Sequence, residues 1–276
     1  MPELPEVETV VRDLRPLLIG RRLGRVRTGP HGLRRPWLKA WTKPLTGAVV
    51  EAVNRRGKWI VVSTDRPERL VVHLGMTGQL TVADAGVPAP DHLHLWFDLD
   101  DGHELRFRDP RRFGSADLFP DAAAAEAFLD ARLGPEPFDL PADVFRAAVA
   151  RTTRPLKALL LDQSVVAGVG NIYADEALHR AGLHPETRGH AVTPAQADAL
   201  REAVAAVLTL AIECRGSTIR DYVGGSGLKG GFQTEFRVYG RTGEPCGGCA
   251  TALERIRVAG RSSHYCPACQ PVGDRG

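Results

Sequence analysis

The chain has 276 residues and no apolar stretch long enough to cross a bilayer. Its longest such run, Ala203 to Ile212, is about half a membrane span and lies between Glu202 and Glu213. The acidic opening also lacks the apolar core of a secretory leader, so a cytoplasmic protein without a membrane partner is expected. Charge of one sign is not in excess. A net charge of +3 and a pI near 8.7 admit a nucleic-acid partner without demanding one. Cysteine is scarce outside the C-terminal tail, as in a reducing compartment, and four of the five cysteines fall in the last 31 residues. The fifth, Cys214, reads as a buried small hydrophobe. No internal repeat or low-complexity tract is present. The glycine-rich stretch Val223 to Gly231 lacks GxxxxGK[ST], which excludes a phosphate-binding P-loop. Gly168-Val-Gly170 follows no strand of a βαβ unit, as a dinucleotide-binding turn would.

What is present begins at residue 2. Removal of Met1 leaves Pro2, a secondary amine, beside Glu3. An N-terminal amine titrates near ~8, so about a tenth of it is neutral at pH 7. A neutral secondary amine attacks an aldehyde carbon to give a cationic iminium, which is an electron sink for elimination, and a neighbouring carboxyl group can move the protons. The alternative is an ordinary chain start with a solvated glutamate, and this stretch by itself leaves both readings open.

The rest of the chain divides by pattern. Pro5 opens a helix whose apolar residues Val7, Val10, Val11 and Leu14 recur at helical spacing, with Gly20 as a stop. Alternation then predicts strand pairs over 47–64 around Asn54-Arg55-Arg56-Gly57, over 69–82 around Gly75-Met76-Thr77-Gly78, and over 92–107 around Asp100-Asp101-Gly102. Strands this short and this frequent suggest an antiparallel sandwich or barrel. Three prolines and a glycine between Leu133 and Pro141 mark a linker. The second half is helical, with its clearest helix capped by Thr193, Pro194 and Gln196.

The knuckles Cys246-Gly-Gly-Cys249 and Cys266-Pro-Ala-Cys269 are 16 residues apart, the spacing of a four-cysteine zinc ribbon. Four thiolates close the coordination sphere, so a single Zn²⁺ there is structural. Such sites contribute on the order of 10–16 kcal/mol of metal-binding energy to folding. Arg255, Arg257 and Arg261 sit on the intervening hairpin, which turns near Gly260. From Arg215 onward nine Arg or Lys face five Asp or Glu, a modest argument for a polyanion.

Taken together, several motifs make the chain resemble the formamidopyrimidine-DNA glycosylase family of base-excision repair. They are Pro2 to Thr9, Gly57-Lys58, His73 to Gly78, Asp109-Pro-Arg-Arg-Phe-Gly114, Gly168 to Ala174, Val238-Tyr-Gly-Arg241 and the cysteine module. The resemblance runs from Pro2 to Cys269. It implies an α+β protein of two domains: an N-terminal antiparallel β-sandwich flanked by helices, and a C-terminal helix–two-turn–helix domain with a β-hairpin zinc ribbon. The expected division is 1–133 for the catalytic sandwich, 134–141 for a linker, 142–222 for the helical DNA-binding domain, 223–236 for a loop that closes over an extruded base, and 237–276 for the zinc finger.

The implied activity is that of a monomeric glycosylase and abasic-site lyase acting on double-stranded DNA that carries oxidised purines. Pro2 would attack C1′, Glu3 would serve as general acid and base, Glu6 would support the site, and Lys58 would meet a phosphate. Met76 and Phe113 would fill the gap left by the extruded base, since something must replace it in the stack. Arg111 would bond the orphaned partner base. Asn171 would hold a phosphate at a helix start, and Arg261 would clamp phosphates flanking the lesion. Lys157, His73 and His92 would lie at the DNA. Two other readings remain open: a relative preferring oxidised pyrimidines, as endonuclease VIII does, and a non-catalytic zinc-ribbon DNA-binding protein.

Overall fold

The structure is a computed structural model that describes residues 2–33, 35–218, 224–225 and 230–272. Met1 and residues 223 and 226–229 of the expected base-closing loop lie outside the described residues. Two compact units are present, one of Met1–Ala131 with Cys214–Gly231, the other of Arg132–Glu213 with Phe232–Gly276. Among the described residues no helix is long and apolar enough to cross a membrane.

The first unit opens with helix α1 (Leu4–Leu18), one face of which, Val7, Val10, Val11, Leu14 and Leu18, is fully buried. Strand β1 (Leu23–Thr28) follows, then a short helix α2 (Thr42–Leu45) and strands β2 (Val50–Arg56), β3 (Trp59–Thr64), β4 (Arg69–His73), β5 (Gln79–Asp84), β6 (Leu93–Leu99), β7 (His103–Arg108) and β8 (Ser115–Phe119). They form two four-stranded antiparallel sheets, β1-β6-β7-β5 and β2-β3-β4-β8. Strand β3 alternates half-buried and buried residues along its length, the period of a strand with one face on a core. That core joins Ile60, Val62, Leu70 and Val72 of one sheet to Leu80, Leu95, Phe97, Leu105 and Phe107 of the other, with the buried face of α1. Helix α3 (Ala122–Asp130) is capped by Asp121, whose carboxylate accepts the Ala124 N–H at 2.8 Å.

The hairpins expected over 47–64 and 92–107 are present as β2–β3 and β6–β7. The pair expected over 69–82 is not a hairpin. Strands β4 and β5 form, but in different sheets, and Gly75 to Gly78 carries the chain from one sheet to the other. Alternation marks each strand but not its partner, because pairing is decided by which edges meet.

The second unit contains α4 (Ala142–Ala150), α5 (Leu156–Leu161), α6 (Asn171–Arg180), α7 (Pro194–Glu213) and the hairpin of β9 (Glu254–Val258) and β10 (Arg261–Tyr265). Helix α7 starts where its caps predict: Thr193 N–H donates to Gln196 Oε1 at 2.9 Å, and Gln196 N–H returns to Thr193 Oγ1 at 3.3 Å. Cys214, one residue past α7, is half-buried, not buried as expected, because the chain turns there through the left-handed residues Arg215 and Gly216.

Lys157 and Asp175 are wholly buried and form an ion pair. Lys157 Nζ also donates to the Asn171 carbonyl at 2.9 Å, and the second Asp175 oxygen accepts the His264 N–H at 3.0 Å. One carboxylate thus joins α5, α6 and β10. Removing a single partner of such a pair strands a buried charge, at about 3–5 kcal/mol. Asp175→Asn should therefore lower the unfolding free energy of this unit in urea by that order, with a lower midpoint, and Lys157→Met with Asp175→Leu should recover much of it. An unchanged midpoint for the single variant would count against a buried charge at Lys157.

Candidate functional site

The start of α1 is locked before any ligand is considered. Pro2 and Glu3 are buried, Glu3 to 2% exposure. Glu3 occupies the N-cap, and its N–H donates to Glu6 Oε2 at 2.8 Å. The other Glu6 oxygen accepts the Ser217 N–H at 2.7 Å and the Ser217 hydroxyl at 3.1 Å. Glu6 therefore joins the chain start to the segment leading toward 219–229. Gly216 fits against it for two reasons. Its φ of +73° suits glycine, and a Cβ there would stand 2.9 Å from Glu6 Oε1.

Lys58 follows Gly57 in the turn between β2 and β3 and is 7% exposed, unlike the solvated lysine of an ordinary turn. The same hairpin is tied to α1 by Arg55 Nε, 3.0 Å from Glu8 Oε2. Burial opposes ionisation of Glu8, but the bonds from Arg12 and Arg55 outweigh it and hold the carboxyl below its usual range.

Arg111, Phe113 and Met76 come from two turns that behave as one piece. Asp109 is fully buried; its Oδ1 accepts the Thr77 hydroxyl at 2.6 Å and its Oδ2 the Gly114 N–H at 2.7 Å. The Arg111 N–H donates to Thr77 Oγ1 at 3.2 Å. A Cβ on Gly75 would stand 2.5 Å from the Gly114 nitrogen, so the two backbones touch. From this base Phe113 projects at 47% exposure, and the Arg111 guanidinium lies 4.8 Å from its ring centre. Met76 is half-buried on the facing turn. His92 is exposed with φ +63°, and its carbonyl accepts the Asp109 N–H at 3.0 Å.

His73 supports this loop from inside. Its Nδ1 accepts the Gly75 N–H at 3.1 Å, and its ring lies 4.6 Å from Trp59. Burial first, then the Lys58 ammonium, pushes its pKa down to about 4. The residue is half-buried, and the bond at Nδ1 orients its ring against the turn at Gly75. Lys157, expected at the DNA, is instead off the surface, because its ammonium is spent on Asp175 and the Asn171 carbonyl.

In the second unit, Asn171 is the first residue of α6, with Gly170 as N-cap and Gly168 at φ +88°. Its side-chain oxygen is buried with no hydrogen-bond partner. Arg261 is the exposed first residue of β10, across from Val258 and beside the turn at Ala259 and Gly260. Buried Glu176 anchors the preceding segment by accepting the N–H groups of Arg237, Val238 and Tyr239 at 2.9, 3.0 and 2.8 Å. Even so, burial holds its carboxyl above the usual range.

The four cysteine sulfurs converge. Cys246 lies 3.9 Å from Cys269, which lies 3.4 Å from Cys249; Cys249 lies 3.4 Å from Cys266, and all four sulfurs fall within 4.8 Å of one another. A tetrahedral zinc with Zn–S near ~2.3 Å spaces its sulfurs by about 3.8 Å, so this set fits one closed, structural Zn²⁺.

Comparison with known proteins covers the same ground. The formamidopyrimidine-DNA glycosylase N-terminal domain matches residues 1–116, the H2TH domain of the same glycosylase residues 133–223, and a zinc finger found in FPG and IleRS residues 243–272. The chain belongs to the formamidopyrimidine-DNA glycosylase family. The curated formamidopyrimidine-DNA glycosylase of Rhizorhabdus wittichii is 46% identical, over 98% of this chain and all of that one. Two Lactococcus lactis structures superpose with a TM-score of 0.91. One, of an FPG mutant with Fapy-dG-containing DNA, is 35% identical over 98% of this chain and 100% of that one. The other, of Fpg with abasic-site DNA, is 34% identical over 98% and 99%.

Sequence reasoning about this formamidopyrimidine-DNA glycosylase family member gave no role to Asp109, Thr77, Ser217, Asp175 or Glu176. The available hint was an acid next to residues at turns. Partners such as Thr77 for Asp109 and Glu6 for Ser217 are 32 and 211 residues away and could not be read locally.

Two outcomes follow from this geometry. Asp109→Ala removes acceptors for Gly114 and Thr77 and should cost about 2–4 kcal/mol by chemical denaturation, with faster amide exchange confined to 75–78 and 109–114. Unchanged exchange there would contradict the shared anchor. For His73, an unfolded imidazole titrates near ~6.5, so below that pH the unfolded chain takes up a proton that the folded chain refuses. Stability then falls as pH drops from about 6.5 toward 4, by up to ~1.4 kcal/mol per pH unit. In His73→Gln the dependence should be shallower, and parallel curves for the two proteins would remove His73 as the cause.

Proposed function

We propose that this chain is a DNA glycosylase of base-excision repair, acting on double-stranded DNA to release oxidised purines such as 8-oxoguanine and formamidopyrimidines, and that it also cuts the strand at the resulting abasic site. The observation that carries the reading is the start of α1: Pro2 and Glu3 are buried and pinned through Glu6 in a chain whose family acts on such bases. A disordered start with a solvated glutamate would have neither feature.

The chemistry requires that Met1 be removed. The Pro2 amine attacks C1′, and the C1′–N bond to the damaged base breaks, the base leaving with a proton. Glu3 protonates the ring oxygen as the sugar opens, giving an iminium between Pro2 and C1′. Loss of a C2′ proton expels the 3′ phosphate, and a second elimination expels the 5′ phosphate. A cationic nitrogen at C1′ accepts the electrons in both eliminations. Buried Lys58 is assigned to a phosphate beside the lesion, as a point charge. Exposed Phe113 and half-buried Met76 are assigned to the gap in the stack and Arg111 to the unpaired base. In the other unit, the α6 N-terminus at Asn171 and exposed Arg261 are assigned to phosphates. The zinc holds the β9–β10 hairpin in shape and takes no part in the chemistry.

Borohydride reduction in the presence of an abasic duplex tests the reading. A covalent adduct should form at Pro2, and Pro2→Gly should lose most of it, at least tenfold in rate. Glu3→Gln should still bind but release 8-oxoguanine at least a hundredfold more slowly. Wild-type protein that binds lesion DNA yet gives no adduct would leave only a zinc-ribbon binding protein, and faster release of thymine glycol than of 8-oxoguanine would move the substrate to oxidised pyrimidines.

A further inference from the structure

The zinc ribbon is held by one helix. Along α6, Asp175 accepts the His264 N–H of β10, Glu176 accepts three N–H groups from 237–239, and His179, one turn on from Asp175, reaches the metal cluster itself. His179 Nε2 lies 3.7 Å from Cys246 Sγ. That is a normal distance for an N–H···S hydrogen bond, and His179 is not in the group whose ligand atoms all lie within 4.8 Å of one another. The four-sulfur set closes without it. The same Cys246 sulfur also accepts the Gly248 N–H at 3.4 Å, as Cys266 accepts that of Cys269 at 3.4 Å. Knuckle bonds of that kind come from the ribbon's own backbone. The bond from His179 is different, because it comes from a side chain 67 residues earlier.

A neutral imidazole donates from one nitrogen only, and here Nε2 is the nitrogen that faces the sulfur. His179 also lines an open cavity of about 370 Å³, together with Arg180, Leu210, Phe232, Arg237 and Gly248 among others.

We propose that His179 donates a hydrogen bond from Nε2 to the zinc-bound Cys246 thiolate and so slows loss of the metal from the ribbon. A thiolate that accepts hydrogen bonds carries less free charge toward solvent and toward a competing proton. Partners of this kind behind a metal ligand change metal affinity by about 10–100-fold when removed. The proposal concerns the metal site and does not depend on which base the protein removes.

The test compares zinc release from the full holoprotein into excess chromogenic chelator for wild type, His179→Phe and His179→Gln. Phenylalanine keeps the bulk and removes the donor; the glutamine amide can place an N–H near the position of Nε2. Release should quicken about tenfold or more in His179→Phe and stay within about threefold of wild type in His179→Gln. Equal rates for wild type and His179→Phe would overturn the proposal. So would equally fast release from both variants, since the loss would then follow packing and not the donor. A measurement without mutation stands beside it: nitrogen-15 shifts of the His179 ring in the zinc-loaded protein should place the proton on Nε2. A ring protonated only on Nδ1 would rule the donor out.

Discussion

Four buried carboxylates, Glu6, Asp109, Asp175 and Glu176, accept main-chain N–H groups from turns and loops and, at His264, from strand β10. Each is at most 3% exposed. A buried loop must satisfy its N–H groups or pay for their desolvation. A carboxylate has two oxygens and several lone pairs, so one side chain can take two or three such groups at once. This allows turns and loops, instead of regular elements, to be held in fixed positions. In the first unit Glu6 holds the chain start and Ser217, and Asp109 holds the loop of Arg111 and Phe113 against the turn of Met76. In the second, Asp175 and Glu176 hold the zinc ribbon and the segment before it.

The arrangement separates groups that hold from groups that reach. Pro2, Glu3 and Lys58 are buried in a firm setting, which suits reacting groups whose positions must not drift. Phe113 and Arg111 are exposed on a rigid base, which suits groups that must enter another molecule. In the free protein Arg111 rests on the Phe113 ring. On the proposed function these two part company on DNA, one for the stack and one for the unpaired base, and the base beneath them stays as it is because Asp109 bonds backbone and not the wedge side chains.

Zinc and helix α6 share the work in the second unit. The metal closes the two knuckles on each other, while α6 fixes where the closed ribbon stands relative to Asn171 at the helix's own start. Because Asn171 and Arg261 both depend on α6, the two groups that the proposed function assigns to phosphates are set by one element. Lys157 takes part only from within, through Asp175 and the Asn171 carbonyl.

Local order in the chain was enough for most elements, for the zinc ligands and for the motifs that carry the family resemblance. The capped helices, the β2–β3 and β6–β7 hairpins, the four zinc ligands, and the runs containing Pro2, Glu3, Lys58, Met76, Arg111 and Phe113 are each written in a few consecutive residues, because propensity, capping and ligand spacing act over one or two turns of chain. Tertiary structure alone decided that β4 and β5 part into different sheets, that Lys157 is buried, and that Glu6 meets Ser217, Asp175 meets His264 and Glu176 meets Val238. Those partners lie 211, 89 and 62 residues apart. Burial and hydrogen bonding at that range depend on which surfaces meet when the chain closes, and no local pattern records that.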